Sequence, residues 1–390
     1  MFKNYLLKAV DLVISVLVFL VETFRPKRVP NTQSPRILIC RLDHIGDVVM
    51  TTPSVRAIKE KYPNSDIYLL INKASAGVFK NNPFISDCLY FNWPFPFDSS
   101  NNKFTYNHVK EYYKLYKKIK SFSFDIMIEF RGDLRMFFLF GFMPAIPIIV
   151  GSPRRGGEAF LTNSIFYDKS HHELERVEDI LHGINIFVNK KRGDFFITNE
   201  DLTRSIQIQK EVLGNYELSK YLVICPFAAK NVKEWLPENW SAISYFVANN
   251  LSIQVFIVGT NANIEIAEFI VKNASHDQVF NLCGKTSIIE LAAIMQRSEI
   301  VIGVDSGSLH IASCFDVPII SLFGPTRSHE FHPYTPYGTI IDMDVCVCNK
   351  DLHLYCNRKV NNIPYCMHSI SNEIVSQKII EILENNKKAQ

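Results

Sequence analysis

The sequence predicts an α/β protein built from two doubly wound parallel sheets, and three observations carry that prediction. Short apolar runs of strand length alternate with amphipathic stretches of helix length, and the alternation occurs in both halves of the chain. Polar residues and glycines gather where apolar runs end, at Arg41–Asp47, Ser152–Gly157, Gly259–Asn261 and Asp305–Gly307. In open α/β sheets that is the side on which ligands bind. The rhythm lapses between Lys190 and Leu218, which are charged and polar, and then restarts. This divides the chain into an apolar N-terminal helix (1–30), a first domain (31–205), a second (206–370) and a closing helix (371–390) expected to pack back toward the first domain. The two large domains are expected to face each other across a cleft.

Taken in order, Leu12 to Val21 is almost wholly apolar and is flanked by Lys3, Lys8, Arg25, Lys27 and Arg28. The run is about half the ~20 residues a spanning helix needs. Glu22–Pro26 offers no small-residue cleavage site. Apolar residues all round the stretch point to a helix lying in a membrane interface over residues 5–25, its cations on anionic lipid. The plainer reading is a helix packed on the protein's own surface. A polar linker leads to a strand at Arg36–Arg41, a Gly-Asp turn and a helix through Lys61. Strands follow at Asp66–Ile71, Phe124–Glu129 and Ile148–Gly151, with a surface loop over Trp93–Asn107 and a helix over Tyr112–Lys120. In the second half, strands are expected at Tyr221–Cys225, 253–258, 279–282, 299–304 and 317–323. Helices are expected at 237–249, 263–273, 287–297, 307–315 and 372–384.

Composition excludes several classes. A net charge of +3 over 390 residues, with no basic run interleaved with aromatics, argues against nucleic acid as a partner. The nine cysteines are scattered, several inside apolar runs, which fits reduced buried thiols rather than a disulfide framework. Cys346, Cys348, Cys356 and Cys366 cluster late in the chain, but Cys-x-Cys is tighter than usual zinc-ligand spacing, so no metal is expected there. The triplet Asp342-Met343-Asp344 arises easily by chance and sits in no supporting context. No G-x-G-x-x-G follows the first strand, which argues against a dinucleotide-dependent dehydrogenase.

Four constellations carry chemistry. Asp47, after Gly46 at a strand-to-helix turn, is placed either to take a proton from a hydroxyl nucleophile or to cap the helix. Lys233, with Lys230 near it, could neutralise a departing diphosphate, while Trp235 beside it belongs in the core. Asn261, after the next strand, could meet a ribose. Asp305, Ser306, Gly307 and His310 mark a strand end and helix start suited to an anion. Arg154 and Arg155 could hold anionic groups, or be a solvated pair on a loop.

Arg41–Pro53, Lys233-Glu234-Trp235-Leu236-Pro237, Asn281–Ser287, and Asp305–His310 with Phe323-Gly324-Pro325-Thr326 occur in an order that resembles glycosyltransferase family 9, the lipopolysaccharide heptosyltransferases. The resemblance covers most of residues 35–385. It implies a GT-B fold, two doubly wound Rossmann-like domains facing an interdomain cleft. It also implies inverting, metal-independent transfer of heptose from ADP-heptose to a lipopolysaccharide inner-core acceptor, without a cofactor. By the same resemblance Asp47 is the general base, Lys233 the phosphate-binding lysine, and Asp305, Ser306, Gly307 and His310 the donor-diphosphate loop. Thr286 is where backbone meets adenine, and Arg154, Arg155 and Gly46 lie on the acceptor side. The acceptor is expected to be a lipid-linked glycan and the location the cytoplasmic face of the inner membrane. Asn261 stands where the family often carries an acidic residue, which leaves open another nucleotide sugar, another acceptor, or a silent nucleotide-sugar-binding partner.

Overall fold

The computed structural model describes residues 17, 18, 20, 21, 23, 28–92, 105–343, 358–360 and 363–389. The chain divides into two compact units, Met1–Lys191 and Arg192–Gln390.

In the first unit β1 (Arg36–Arg41) is buried at every residue after Arg36, which is why its sequence reads as a continuous run instead of alternating. It pairs in parallel with β2 (Asp66–Ile71) on one side and β4 (Ile126–Glu129) on the other. With β3 (Asp87–Tyr90), β5 (Ile148–Gly151) and β6 (Asn163–Ser164) the sheet order is β3-β2-β1-β4-β5-β6. The helix expected through Lys61 is two helices, α1 (Ile45–Met50) and α2 (Thr52–Lys61). Pro53 has no N–H for the Val49 carbonyl, and the Thr52 hydroxyl donates to it instead at 2.8 Å. Helix α3 (Tyr106–Phe122) starts earlier than expected because Thr105 and His108 close a capping box. Residues 93–104 of the expected loop lie outside the described residues. Leu134–Met136 runs into a π-helical Phe137–Phe142, and α4 (Glu173–His182) completes the unit.

The second unit opens with α5 (Asn199–Leu213), so the expected boundary at 205/206 falls inside one helix. Strand β7 (Tyr221–Cys225), α6 (Pro237–Leu251), β8 (Gln254–Ile257), α7 (Ile264–Ala274), β9 (Val279–Asn281) and α8 (Ile288–Gln296) follow. Then come β10 (Ile300–Val304), α9 (Gly307–Ala312), β11 (Ile319–Phe323) and β12 (Gly338–Asp342). All pairs in the order β12-β11-β10-β7-β8-β9 are parallel. Asp342 ends β12, while Asp344 lies outside the described residues. The C-terminal helix α10 (Asn372–Ala389) was expected to pack toward the first domain. Its apolar Val375 and Ile379 are fully buried in the core of the second unit, with Trp240 and Val247 of α6.

Of the N-terminal apolar stretch, Leu17, Val18, Leu20, Val21 and Thr23 are described and helical. Among the described residues no helix is long and apolar enough to cross a membrane. Cys366 is buried; Cys346, Cys348 and Cys356 lie outside the described residues.

Candidate active site

Both sheets reverse their winding at one place, between β1 and β4 in the first unit and between β7 and β10 in the second. The crevice at the carboxyl end of such a switch point is where open α/β sheets bind ligands. Asp47 follows β1, Arg131 follows β4, Lys233 follows β7 and Asp305 follows β10.

In the first unit Asp47 is the third residue of α1, with its side chain about a quarter exposed. One carboxylate oxygen accepts the His44 N–H at 3.2 Å and the other accepts Arg41 Nη2 at 3.2 Å. It therefore caps the helix and keeps an open edge; the two expected roles are compatible. Gly46 beside it is buried. Arg41 is itself almost wholly buried. It donates to the Phe130 carbonyl (2.6 Å) and Glu173 (2.7 Å), and pairs with Asp43 (3.1 Å). Burial alone would lower its pKa, but Asp43, Glu173 and Asp47 outweigh burial and raise it. The network extends through Arg131 on Asp43 (2.7 Å) and Arg176 on Glu173 (3.1 Å).

Glu129, at the end of β4, is fully buried and accepts the backbone N–H groups of Arg131 (3.1 Å) and Gly132 (2.6 Å). Burial pushes its pKa up to about 8 despite those bonds, and Asp43 and Asp133 add to the rise. Gly132 has φ +77°, and a Cβ there would lie 2.4 Å from the Ser152 carbonyl oxygen. That close approach brings the loops after β4 and β5 together, with the Arg155 N–H on the Gly132 carbonyl at 3.1 Å. Arg154 and Arg176 both lie over the Tyr167 ring, at 4.6 and 4.8 Å. Burial and the neighbouring Arg131 and Arg154 lower the Arg155 pKa. Arg154 and Arg155 are both exposed, and Arg131 and Arg176 stand near them.

In the second unit Lys233 Nζ donates to Asp305 at 2.7 Å, and the Thr326 hydroxyl donates to the same oxygen at 2.7 Å. Asp305 is buried and Lys233 is partly exposed. The Asp305 carboxylate thus fixes the position of the Lys233 ammonium. Ser306 caps α9, and its buried hydroxyl oxygen has no partner among the described residues. Gly307 opens the helix with free backbone N–H groups. His310 is 5% exposed, so a ligand reaches little of its ring. Asn261 lies in the loop after β8 and Thr286 in the loop after β9. The loops touch: Gly284, at φ +73°, leaves no room for a Cβ, which would lie 2.0 Å from Asn261 Oδ1. Trp235 is buried as expected and donates to the Ile370 carbonyl at 3.1 Å.

Each unit thus gathers its expected residues at its own sheet edge. Sequence reasoning missed Arg41, Asp43, Glu129, Arg131, Glu173, Arg176 and Thr326 as functional groups. The Arg131-Gly132-Asp133 turn after a strand was the signal available for Arg131.

Two parallel six-stranded sheets of this kind make up the GT-B fold. The chain belongs to glycosyltransferase family 9 (heptosyltransferase), whose model matches residues 112–360. It is 25% identical over 299 residues to lipopolysaccharide heptosyltransferase 3 of Escherichia coli K12, covering 74% of this chain and 83% of that protein. The glycosyltransferase family 9 structure from Veillonella parvula superposes with a TM-score of 0.75 at 20% identity, covering 91% of this chain and 99% of the other. The E. coli ADP-heptose LPS heptosyltransferase II gives 0.71 at 14% identity, with 90% and 99% covered. These likenesses establish the fold and a glycosyltransferase activity.

Proposed function

We propose that this glycosyltransferase moves heptose from ADP-heptose to an anionic, lipid-linked glycan of the lipopolysaccharide inner core, with inversion and without a metal. The relatives named above supply the donor and acceptor class. The observation that carries the mechanism is the placing of Asp47 at one switch point and the Lys233–Asp305 pair at the other.

The acceptor hydroxyl attacks the anomeric carbon from the face opposite ADP. Its proton passes to Asp47, the new C–O bond forms, and the bond to the diphosphate breaks with its electron pair leaving on ADP. Arg41 holds one oxygen of Asp47, and the other, which accepts the His44 N–H, keeps a second lone pair for the hydroxyl. Lys233, the Ser306 hydroxyl and the N–H groups opening α9 stabilise the leaving diphosphate, the work a metal does elsewhere. Asp305 acts through Lys233, and His310 packs behind the loop. Asn261 and Thr286 border the nucleoside, where an amide can bond ribose hydroxyls. The cations around Arg154 and Arg155 hold carboxylates or phosphates of the acceptor. The N-terminal apolar stretch keeps the enzyme at the cytoplasmic face of the inner membrane, where a lipid-linked acceptor lies.

The test is transfer from ADP-heptose with Asp47→Ala. The variant should melt like the wild type and lose turnover by about 10²- to 10⁴-fold, the usual worth of a general base. Turnover near the wild-type rate would remove Asp47 from that role.

A further inference from the structure

Helix α3 has seventeen residues, of which Leu115 and Ile119 are buried. Its other face is aromatic and cationic together. Tyr106, Lys110, Tyr113, Lys114 and Lys117 succeed one another at helical spacing and are all exposed, Tyr106 by 80% and Tyr113 by 54%. Lys117 Nζ sits 4.5 Å from the Tyr113 ring centre, so cation and ring are interleaved along the face. The helix carries five lysines against one glutamate.

The apolar ground beside this face is also exposed. Tyr112 donates to the Leu139 carbonyl at 3.0 Å, tying α3 to the π-helical stretch whose Phe138 and following Met143 are each 38% exposed. Val18 packs on the same cluster as Tyr112, Leu139 and Phe142, while Leu17, Leu20 and Val21 remain exposed. Lysines bracketing tyrosines, beside exposed phenylalanine and leucine, form the pattern of a face that lies on a bilayer. Apolar groups enter the interface and ammonium groups meet anionic headgroups.

We propose that the outward face of α3, together with the Phe138–Met143 surface beside it, docks this enzyme on an anionic lipid surface. The proposal deepens the membrane reading above and rests on it for the choice of lipid as partner. It differs in placing the contact on a helix of the folded unit and not on the N-terminal stretch alone.

The test uses the full-length chain and flotation with two kinds of vesicle, phosphatidylcholine alone and phosphatidylcholine with phosphatidylglycerol. A triple variant, Lys110→Gln, Lys114→Gln and Lys117→Gln, alters exposed residues outside the catalytic machinery. Each lysine near an anionic surface contributes about a fivefold gain in binding, so the variant should bind the anionic vesicles on the order of a hundredfold more weakly. Wild type and variant should bind phosphatidylcholine equally weakly and melt alike. Three results would overturn the proposal: undiminished binding of the variant, equal binding of the wild type to both vesicles, or a wild-type dimer that the variant loses without change in flotation. Transfer to a delipidated, soluble acceptor should be the same in both. Failure of that transfer in the wild type would count against the activity, and the vesicle comparison would still decide the docking face.

Discussion

Arg41 lies beneath Asp47, touching three carboxylates and a backbone carbonyl. A single arginine can hold a carboxylate in place this way because its planar fork offers several donors in fixed directions. Its long-range partner, Glu173, is 132 residues away, so no local pattern in the sequence could join them. Asp47 and Lys233 were legible because each follows a strand that reads plainly as apolar. Glu129 makes a prediction about pH. Its carboxyl titrates near 8 in the folded chain and near 4.5 when unfolded, so the folded state keeps a proton that the unfolded state gives up. Its contribution to stability is complete below about 4.5 and is lost as pH rises to about 8. Glu129→Gln, which cannot ionise, should flatten that part of the slope in denaturant unfolding measured across pH. An unchanged slope would mean that Glu129 is ionised throughout.

At the scale of elements, the strands at the centre of each sheet were readable because both faces are covered and the runs are uniformly apolar. The edge strands β3, β6 and β12 were not: they are short or half-exposed and look like loop sequence. Helix α5 was missed because two of its buried positions are the polar Ser205 and Gln209, which break the apolar stripe. Helix α4 hides its inner face in the same way, burying Glu173, Arg176 and Glu178 among its apolar residues. The π-helical stretch has apolar residues on every side and so shows no period. The turn at Gly132 joins two elements through one backbone conformation. Gly132→Ala should cost about 2 kcal/mol or more, from positive φ and the collision with Ser152. Thermal unfolding should show a drop of several degrees, and KM for the acceptor should rise as Arg131 and Arg155 shift. A variant that melts with the wild type would show that the loop relaxes freely.

For the whole molecule, the two units repeat one plan: a parallel sheet, a switch point, and polar groups along its carboxyl edge. In the proposed reaction the first edge handles a proton and the second a leaving diphosphate, with fixed side chains and N–H groups stabilising the charge. Transfer should therefore continue at an undiminished rate in excess EDTA, followed as ADP release. Loss of turnover that added divalent metal restores would defeat the metal-free mechanism. The Lys233–Asp305 contact also bears on what happens after bond breaking. An ammonium already shared with a carboxylate pulls on a phosphate less strongly than a lone one, and it needs no rearrangement to act. In the proposed reaction the spent nucleotide is therefore gripped only moderately and leaves without a separate event to loosen it.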